Sequence, residues 1–171
     1  MRHRKIGIYI WPYQIICKGE ILMNWKEIKD QKDIEELFNV YGGFHDSCIV
    51  NLYYESGAGV NREKSMYFGD ASNRQLCVTF QRQWDPITIE LCFSGLRRLH
   101  LVGWQDNYFC DITSAYLAFH ERLLPGNPSK VIVWADTDWF NVEKVAASNT
   151  LVEPDDTYIV SNYLKWRILN E

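Results

Sequence analysis

The residue types that catalysis uses most often stand side by side in one short segment, His45-Asp46-Ser47-Cys48. A nucleophile, a base and an acid can work together only if their side chains converge. The apolar run over residues 49–54 predicts that this segment opens a β-strand, in which successive side chains point to opposite faces. His45 and Asp46 are therefore expected to diverge, which argues against a catalytic triad built from these neighbours.

The segment from Gly43 to Asp46 instead indicates a structural junction between a helix and a strand. Alternation would place Phe44 and Asp46 on the face that points into the core. A buried carboxylate needs hydrogen-bond donors, so we expect Asp46 to accept bonds from backbone N–H groups of the Gly42-Gly43 turn. His45 would lie on the other face, either as a contact for a partner or as a strand histidine with its bonds satisfied.

A second cluster combines carboxylates with large aromatic side chains at the end of an apolar run; its members are Trp134, Asp136, Asp138, Trp139 and Phe140. One interpretation is a turn in which the Asp side chains cap backbone groups and Trp134 lies in the core. Another is a protein-binding surface, where the aromatic groups supply contact area and the carboxylates attract a basic partner. A third is an acid–base or divalent-cation site. We predict that these five residues bind a partner.

Metal and cofactor sites are not indicated by the spacing of the remaining residues. The four histidines form no H-x-H or H-E-x-x-H pattern, and the glycines at 57–59 lack the G-K-[ST] of a phosphate loop. The five cysteines are odd in number and contain no C-x-x-C pair, so we expect free thiols in a reducing compartment. Cys77 and Cys92 are expected to act as small, half-buried apolar side chains.

Composition limits the class of protein and its partners. A chain of 171 residues that is 47% hydrophobic and 15% aromatic suits one domain with a packed core. A formal net charge of −4 argues against nucleic-acid binding. No run approaches the roughly 20 apolar residues that a membrane span needs, so we expect a cytoplasmic location. Four arginines are expected to pair with acidic side chains: Arg82, Arg97, Arg98 and Arg167.

The segment before Met23 resembles untranslated sequence that has been read in frame. Lys18-Gly19-Glu20 can be encoded by bases that contain a bacterial ribosome-binding site, at a short distance from Met23. We expect residues 1–22 to be an extension from an upstream start and residues 23–171 to form one globular domain. Without that segment the formal net charge changes from −4 to −7, since it holds four basic residues and one acidic residue.

The hydrophobic pattern predicts one helix followed by strands. Apolar side chains recur at helical spacing within residues 30–41, and Gly42-Gly43 ends the pattern. Alternation and turn residues then favour strands over 44–54, 76–81, 87–93, 96–101, 131–134 and 157–169. Residues 108–124 suit either a long strand, centred on 112–119, or a helix, and the strong turn at 125–129 favours the strand, in a hairpin with 131–134. Gly95 suggests a bulge or tight bend. The predicted fold is α+β: an N-terminal amphipathic helix packed on a curved, mostly antiparallel meander sheet of about seven strands.

Four short motifs carry a resemblance to a known family: Phe44-His45-Asp46-Ser47-Cys48-Ile49, Phe80-Gln81-Arg82-Gln83, Phe93-Ser94-Gly95-Leu96 and Leu164-Lys165-Trp166-Arg167. Over residues 24–171 the chain resembles small uncharacterised proteins of Firmicutes, which are similar in size and strand pattern to immunity proteins of bacterial toxin systems. The resemblance implies a non-enzymatic protein that binds and blocks a toxin, and the acidic, aromatic cluster from Trp134 to Phe140 predicts that the toxin surface is basic. Two alternatives stay open: a hydrolase-like enzyme that uses Asp136 and Asp138 with His45, and a small-ligand-binding β-protein.

Overall fold

Strands dominate the part of the chain that this computed structural model describes, residues 24–102, 110–124, 130–146 and 156–169. The expected start at Met23 and the extension before it lie outside these residues. The elements in chain order are β1 (Lys26–Ile28), α1 (Gln31–Tyr41), β2 (Ser47–Glu55), β3 (Gly59–Val60), β4 (Met66–Tyr67), β5 (Gln75–Arg82), β6 (Thr88–His100), β7 (Tyr116–His120), β8 (Val131–Ala135), α2 (Glu143–Ala146) and β9 (Tyr158–Leu169).

Helix α1 occupies the segment whose apolar spacing predicts a helix, and both of its ends are capped. The Asp30 side chain accepts bonds from the backbone N–H groups of Lys32 and Asp33, while the Asp33 carboxylate accepts from the Asp30 N–H. This reciprocal arrangement satisfies donors that the first turn leaves unpaired. At the other end Gly42 has φ 57° and donates its N–H to the Phe38 carbonyl. A left-handed residue at this position suits glycine.

The main sheet has seven strands, and all of its strand pairs are antiparallel. The strand order is β2-β5-β6-β9-β8-β7, with β1 also paired to β9; β3 and β4 form a separate two-stranded hairpin. An α+β fold with an antiparallel sheet is therefore present. The consecutive meander is wrong, because β9 lies between β6 and β8 and does not follow β8 at an edge.

Strand β9 is central because it is paired along both sides. Its full length pairs with β6, while on its other side residues 158–161 pair with β8 and residues 164–166 pair with β1. An isolated bridge also connects one outer strand, β2, with the segment that leads into the other outer strand, β7. Ser47 at the start of β2 bridges to Ile112, which precedes β7, through an N–H···O bond of 2.8 Å.

The core between α1 and the sheet is filled by large side chains. Phe44, Phe80 and Trp134 meet with ring centroids 5.0 to 6.0 Å apart, and all three are fully buried. Tilted and edge-to-face contacts of this kind add to the stabilisation from buried apolar area. A second apolar cluster on the other face of β8 and β9 includes Phe140 and Val145. Strand β8 is consequently buried on both faces, which explains its continuous apolar run.

Gly95 produces the predicted irregularity in β6. Its φ is 65°, and the pairing register between β6 and β9 shifts between Leu96 and Arg98. A Cβ at this position would lie 2.8 Å from the Asn162 side-chain nitrogen, which is closer than packed atoms approach. Glycine therefore provides both the left-handed backbone and the space that the bulge requires.

Arg82, at the end of β5, is buried without a carboxylate partner among the described residues. Its Nε donates to the carbonyls of Trp84 and Pro86 at 3.1 Å, and Nη2 donates to the carbonyls of Asp85 at 2.7 Å and Val40 at 3.1 Å. The guanidinium also stacks over the Tyr41 ring at 4.3 Å. The expected pairing of Arg82 with an acid is therefore wrong; its charge is satisfied by carbonyls of the last turn of α1 and of the β5–β6 turn.

We expect Arg82→Lys to lower the free energy of unfolding by about 2–4 kcal/mol. The compact lysine ammonium cannot reach all four backbone carbonyls to which the planar guanidinium of Arg82 donates. Chemical denaturation measures this change. The matched control is Arg74→Lys at an exposed arginine, which should alter the free energy of unfolding by less than about 0.5 kcal/mol. Equal small changes in the two variants would show that the buried carbonyl contacts contribute little.

Candidate partner-binding site

The structure divides the five residues predicted to bind a partner into buried and exposed members. Trp134 is fully buried in the main core, and Phe140 packs in the second cluster with its ring 5.9 Å from Tyr116 and 5.3 Å from Tyr158. Neither side chain is available to a partner. The prediction fails for these two residues because β8 and the loop after it have a hydrophobic cluster on each face, a condition that alternation along one strand does not reveal.

Asp136 connects the end of β8 to the start of β9. Its Oδ1 accepts the Thr157 N–H at 3.1 Å, and its own N–H donates to the Thr157 carbonyl at 3.0 Å. Burial raises the pKa of Asp136 and the nearby Asp156 charge acts in the same direction, while the bonds from Thr157 oppose them. These contacts match the interpretation in which the carboxylate caps backbone groups of a turn.

Asp138 and Trp139 are the two members that face solvent. The Trp139 side chain is 89% exposed, although the loop that carries it is anchored on both sides. Thr137 forms a parallel bridge to Ser114, and Asp136 and Phe140 hold the loop as described above. A large aromatic side chain presented from a fixed loop loses little conformational freedom on binding, which is typical of an interface hot spot. We call Asp138 and Trp139 the loop tip.

The expectation that His45 and Asp46 diverge is wrong. Phe44 and Asp46 have φ values of 67° and 52°, so the chain is in a turn there and alternation starts only at Ser47. His45 Nδ1 lies 3.1 Å from Asp46 Oδ2, on the surface. The expected bonds from the Gly42-Gly43 turn to Asp46 are not among the contacts of the described residues.

Other bonds hold that turn. The Ser47 hydroxyl donates to the Phe44 carbonyl at 2.6 Å, and the His45 N–H donates to the Gly42 carbonyl at 3.1 Å. Ser47 is buried and its hydroxyl is engaged with the backbone, so it is not placed as a nucleophile for the neighbouring pair. The segment from Gly43 to Asp46 joins α1 to β2 through this turn, and the groups that stabilise it differ from the expected ones.

An exposed apolar hairpin was missed by the sequence interpretation, which predicted no strand between residues 54 and 76. Its large exposed side chains lie on β3, on β4 and directly after β4, and Phe68 among them is 81% exposed. The apolar run Met66-Tyr67-Phe68 between polar stretches is the signal that could have indicated it. We call this surface the hairpin patch, with members Val60, Met66, Tyr67 and Phe68.

One surface depression and the placement of possible metal ligands bear on the alternative functions. The depression is shallow and is lined by Tyr54, Arg74 and residues 96–99, and neither Asp136 nor Asp138 belongs to it. No three His, Cys, Asp or Glu side chains of the described ranges are grouped as metal ligands would be. None of the helices in residues 24–102, 110–124, 130–146 or 156–169 has the length and apolar character to cross a membrane.

No family model, curated protein or solved structure matches the chain. A functional assignment therefore depends on the contacts described above. The loop tip, with Trp139 beside Asp138, is therefore the main physical guide to function.

The raised pKa of Asp136 predicts a pH dependence of stability. A carboxyl with a folded pKa above its ordinary value of 3.8 binds its proton more tightly in the folded state, so its stabilising contribution is lost as the pH rises through the folded pKa. We expect wild type to lose this contribution upward from about pH 4, whereas Asp136→Asn retains an acceptor for the Thr157 N–H and shows no such loss.

Denaturant unfolding of both proteins across this pH range measures the effect. The free energy of unfolding of Asp136→Asn minus that of wild type should increase with pH. A difference that stays constant or decreases would contradict the assigned environment of Asp136.

Proposed function

We propose that this chain is an immunity-type protein-binding module that occludes a basic toxin in the bacterial cytoplasm. The observation that carries the proposal is the 89% exposure of Trp139 on a loop that is otherwise anchored. Burying this ring against a partner supplies the apolar contact area that typically dominates an interface. The resemblance of residues 24–171 to immunity-like proteins supports the same class of function.

Charge supports a basic partner. Asp138 is exposed next to Trp139, and the chain as a whole has a formal net charge of −4. A negative protein attracts a positive one over distances near the Debye length, which accelerates encounter. Asp138 then acts mainly on the rate of association, while Trp139 acts mainly on the lifetime of the complex.

The two alternative functions gain no comparable support from the described contacts. Asp136 is engaged by Thr157 and His45 pairs with Asp46, so two of the three groups of the enzyme hypothesis are committed to separate local bonds, while Asp138 faces solvent. The carrier hypothesis requires a cavity enclosed by the sheet. The space between α1 and the sheet is instead occupied by the packed rings of Phe44 and Trp134.

Trp139→Ala tests the role of the loop tip. Wild type and variant are used in parallel as bait in lysate of the source cell, and the captured basic protein is then titrated against each. We expect the dissociation constant to rise at least about tenfold, because a hot-spot tryptophan contributes about 2 kcal/mol or more. Thermal unfolding should be unchanged, since the ring is exposed.

The matched control is Tyr163→Ala, which removes another exposed aromatic side chain from β9. This variant should bind the captured protein as wild type does. Equal affinity of the Trp139→Ala variant and wild type would remove the loop tip from the interface.

The electrostatic part of the proposal predicts salt-sensitive association. The association rate constant should fall steeply as ionic strength rises, and Asp138→Asn should both lower the rate at low salt and flatten its salt dependence. Stopped-flow mixing at several salt concentrations measures both effects. An association rate that does not change between low and high salt would count against a basic partner.

A further inference from the structure

Two cysteines face each other across the centre of the sheet. Cys77 on β5 and Cys92 on β6 are directly opposed in the strand register, and their Sγ atoms lie 3.0 Å apart. Both side chains are on the face opposite the main core, because their neighbours Leu76, Val78 and Leu91 point into that core. The sequence interpretation treated these residues as separate apolar side chains and did not bring the two thiols together.

The surroundings favour a thiolate at this pair. Lys165 on β9 is the register partner of Cys92, and Glu90 lies two residues before Cys92 on the same strand. A hydrogen bond from the Cys77 thiol and then the Lys165 charge lower the pKa of Cys92 to about 7, against the opposing effect of burial. The same hydrogen bond, together with burial, raises the pKa of Cys77. The first proton thus leaves the pair readily, and the second is retained between the sulfurs.

We propose that Cys77 and Cys92 form a redox-reactive dithiol that hydrogen peroxide closes into a cross-strand disulfide. In the first step the thiolate sulfur attacks a peroxide oxygen, the O–O bond breaks, and hydroxide leaves to take up a proton as water. In the second step the remaining thiol attacks the sulfenic sulfur; the S–S bond forms, and the hydroxyl leaves with the thiol proton as a second water. Two thiols lose two electrons, and one peroxide gains them.

The backbone already suits this bond. Opposed residues in antiparallel strands have Cα atoms about 4.5–5.5 Å apart. This separation is within the range of about 4.4–6.8 Å that disulfides span. Cys77 is partly exposed, so a molecule as small as peroxide can approach the pair, although Cys92 itself is buried. Closure would join β5 to β6 and restrain the middle of the sheet. The proposal does not depend on the binding function.

Cys110 distinguishes this proposal from simple surface oxidation. Cys110 is the exposed one among the described cysteines, so a reaction governed by accessibility alone would modify it before Cys48, Cys77 or Cys92. A reaction governed by the opposed pair would leave Cys110 as a thiol and link Cys77 to Cys92.

The experiment treats the full chain with hydrogen peroxide, blocks remaining thiols with iodoacetamide and maps the peptides by mass spectrometry. We expect a linked peptide pair containing Cys77 and Cys92, a loss of about two mass units before alkylation, and full reversal by dithiothreitol. A variant with Cys17, Cys48 and Cys110 all changed to Ser should react as wild type does. Linkage of another pair, or no linkage, would overturn the proposal.

Two further measurements keep the test independent of folding defects. Cys77→Ala, at the partly exposed position, should retain the circular dichroism spectrum of wild type and lose the mass change. The rate of closure in wild type should rise with a midpoint near pH 7, as expected for the low-pKa thiolate. A rate that rises only around pH 8.5, the ordinary value for cysteine, would contradict the role of the pair.

Discussion

The buried guanidinium of Arg82 is the contact on which this architecture depends most. It joins the carbonyl of Val40, in the last turn of α1, to carbonyls of the β5–β6 turn, and its own backbone is paired with Ser47 at the start of β2. The end of a helix concentrates partial negative charge, so a cation there is stabilised without a carboxylate. One side chain consequently sets where α1 ends relative to the sheet, and Gly42 leaves space for it.

Strand β9 has the corresponding role on the other side of the molecule. It pairs with β6 on one side and with β8 and β1 on the other, and its first four residues are buried. The loop after β8 is therefore attached to the most constrained part of the sheet, through Asp136 and Thr157. This attachment explains how Trp139 can be almost fully exposed and still have a defined position. A preorganised loop tip retains binding energy that a mobile one would lose to ordering.

On the outer face of the sheet, strand alternation brings charged and reactive side chains together, although the apolar pattern of the sequence does not indicate which of them meet. Glu90 and Arg167 form an ion pair there, with Arg167 Nε 2.6 Å from the carboxylate, as expected from the charges. Two register positions further along β6, the same face brings Cys77 opposite Cys92. The alternation of β5 and β6 was evident in the sequence, but the pairing of the thiols depends on the register, which is set by the turn and by the fit of the core face.

The sequence by itself determined the elements that depend on near neighbours: the capped helix α1, the alternating strands β5 and β6, and the bend at Gly95. These follow from spacing, capping and local backbone freedom. Only the tertiary structure decided the position of β9 between β6 and β8, the burial of Trp134, and the left-handed turn that brings His45 to Asp46. Strand order and two-sided burial depend on residues far apart in the chain, and local periodicity contains no information about which distant segment covers a given face.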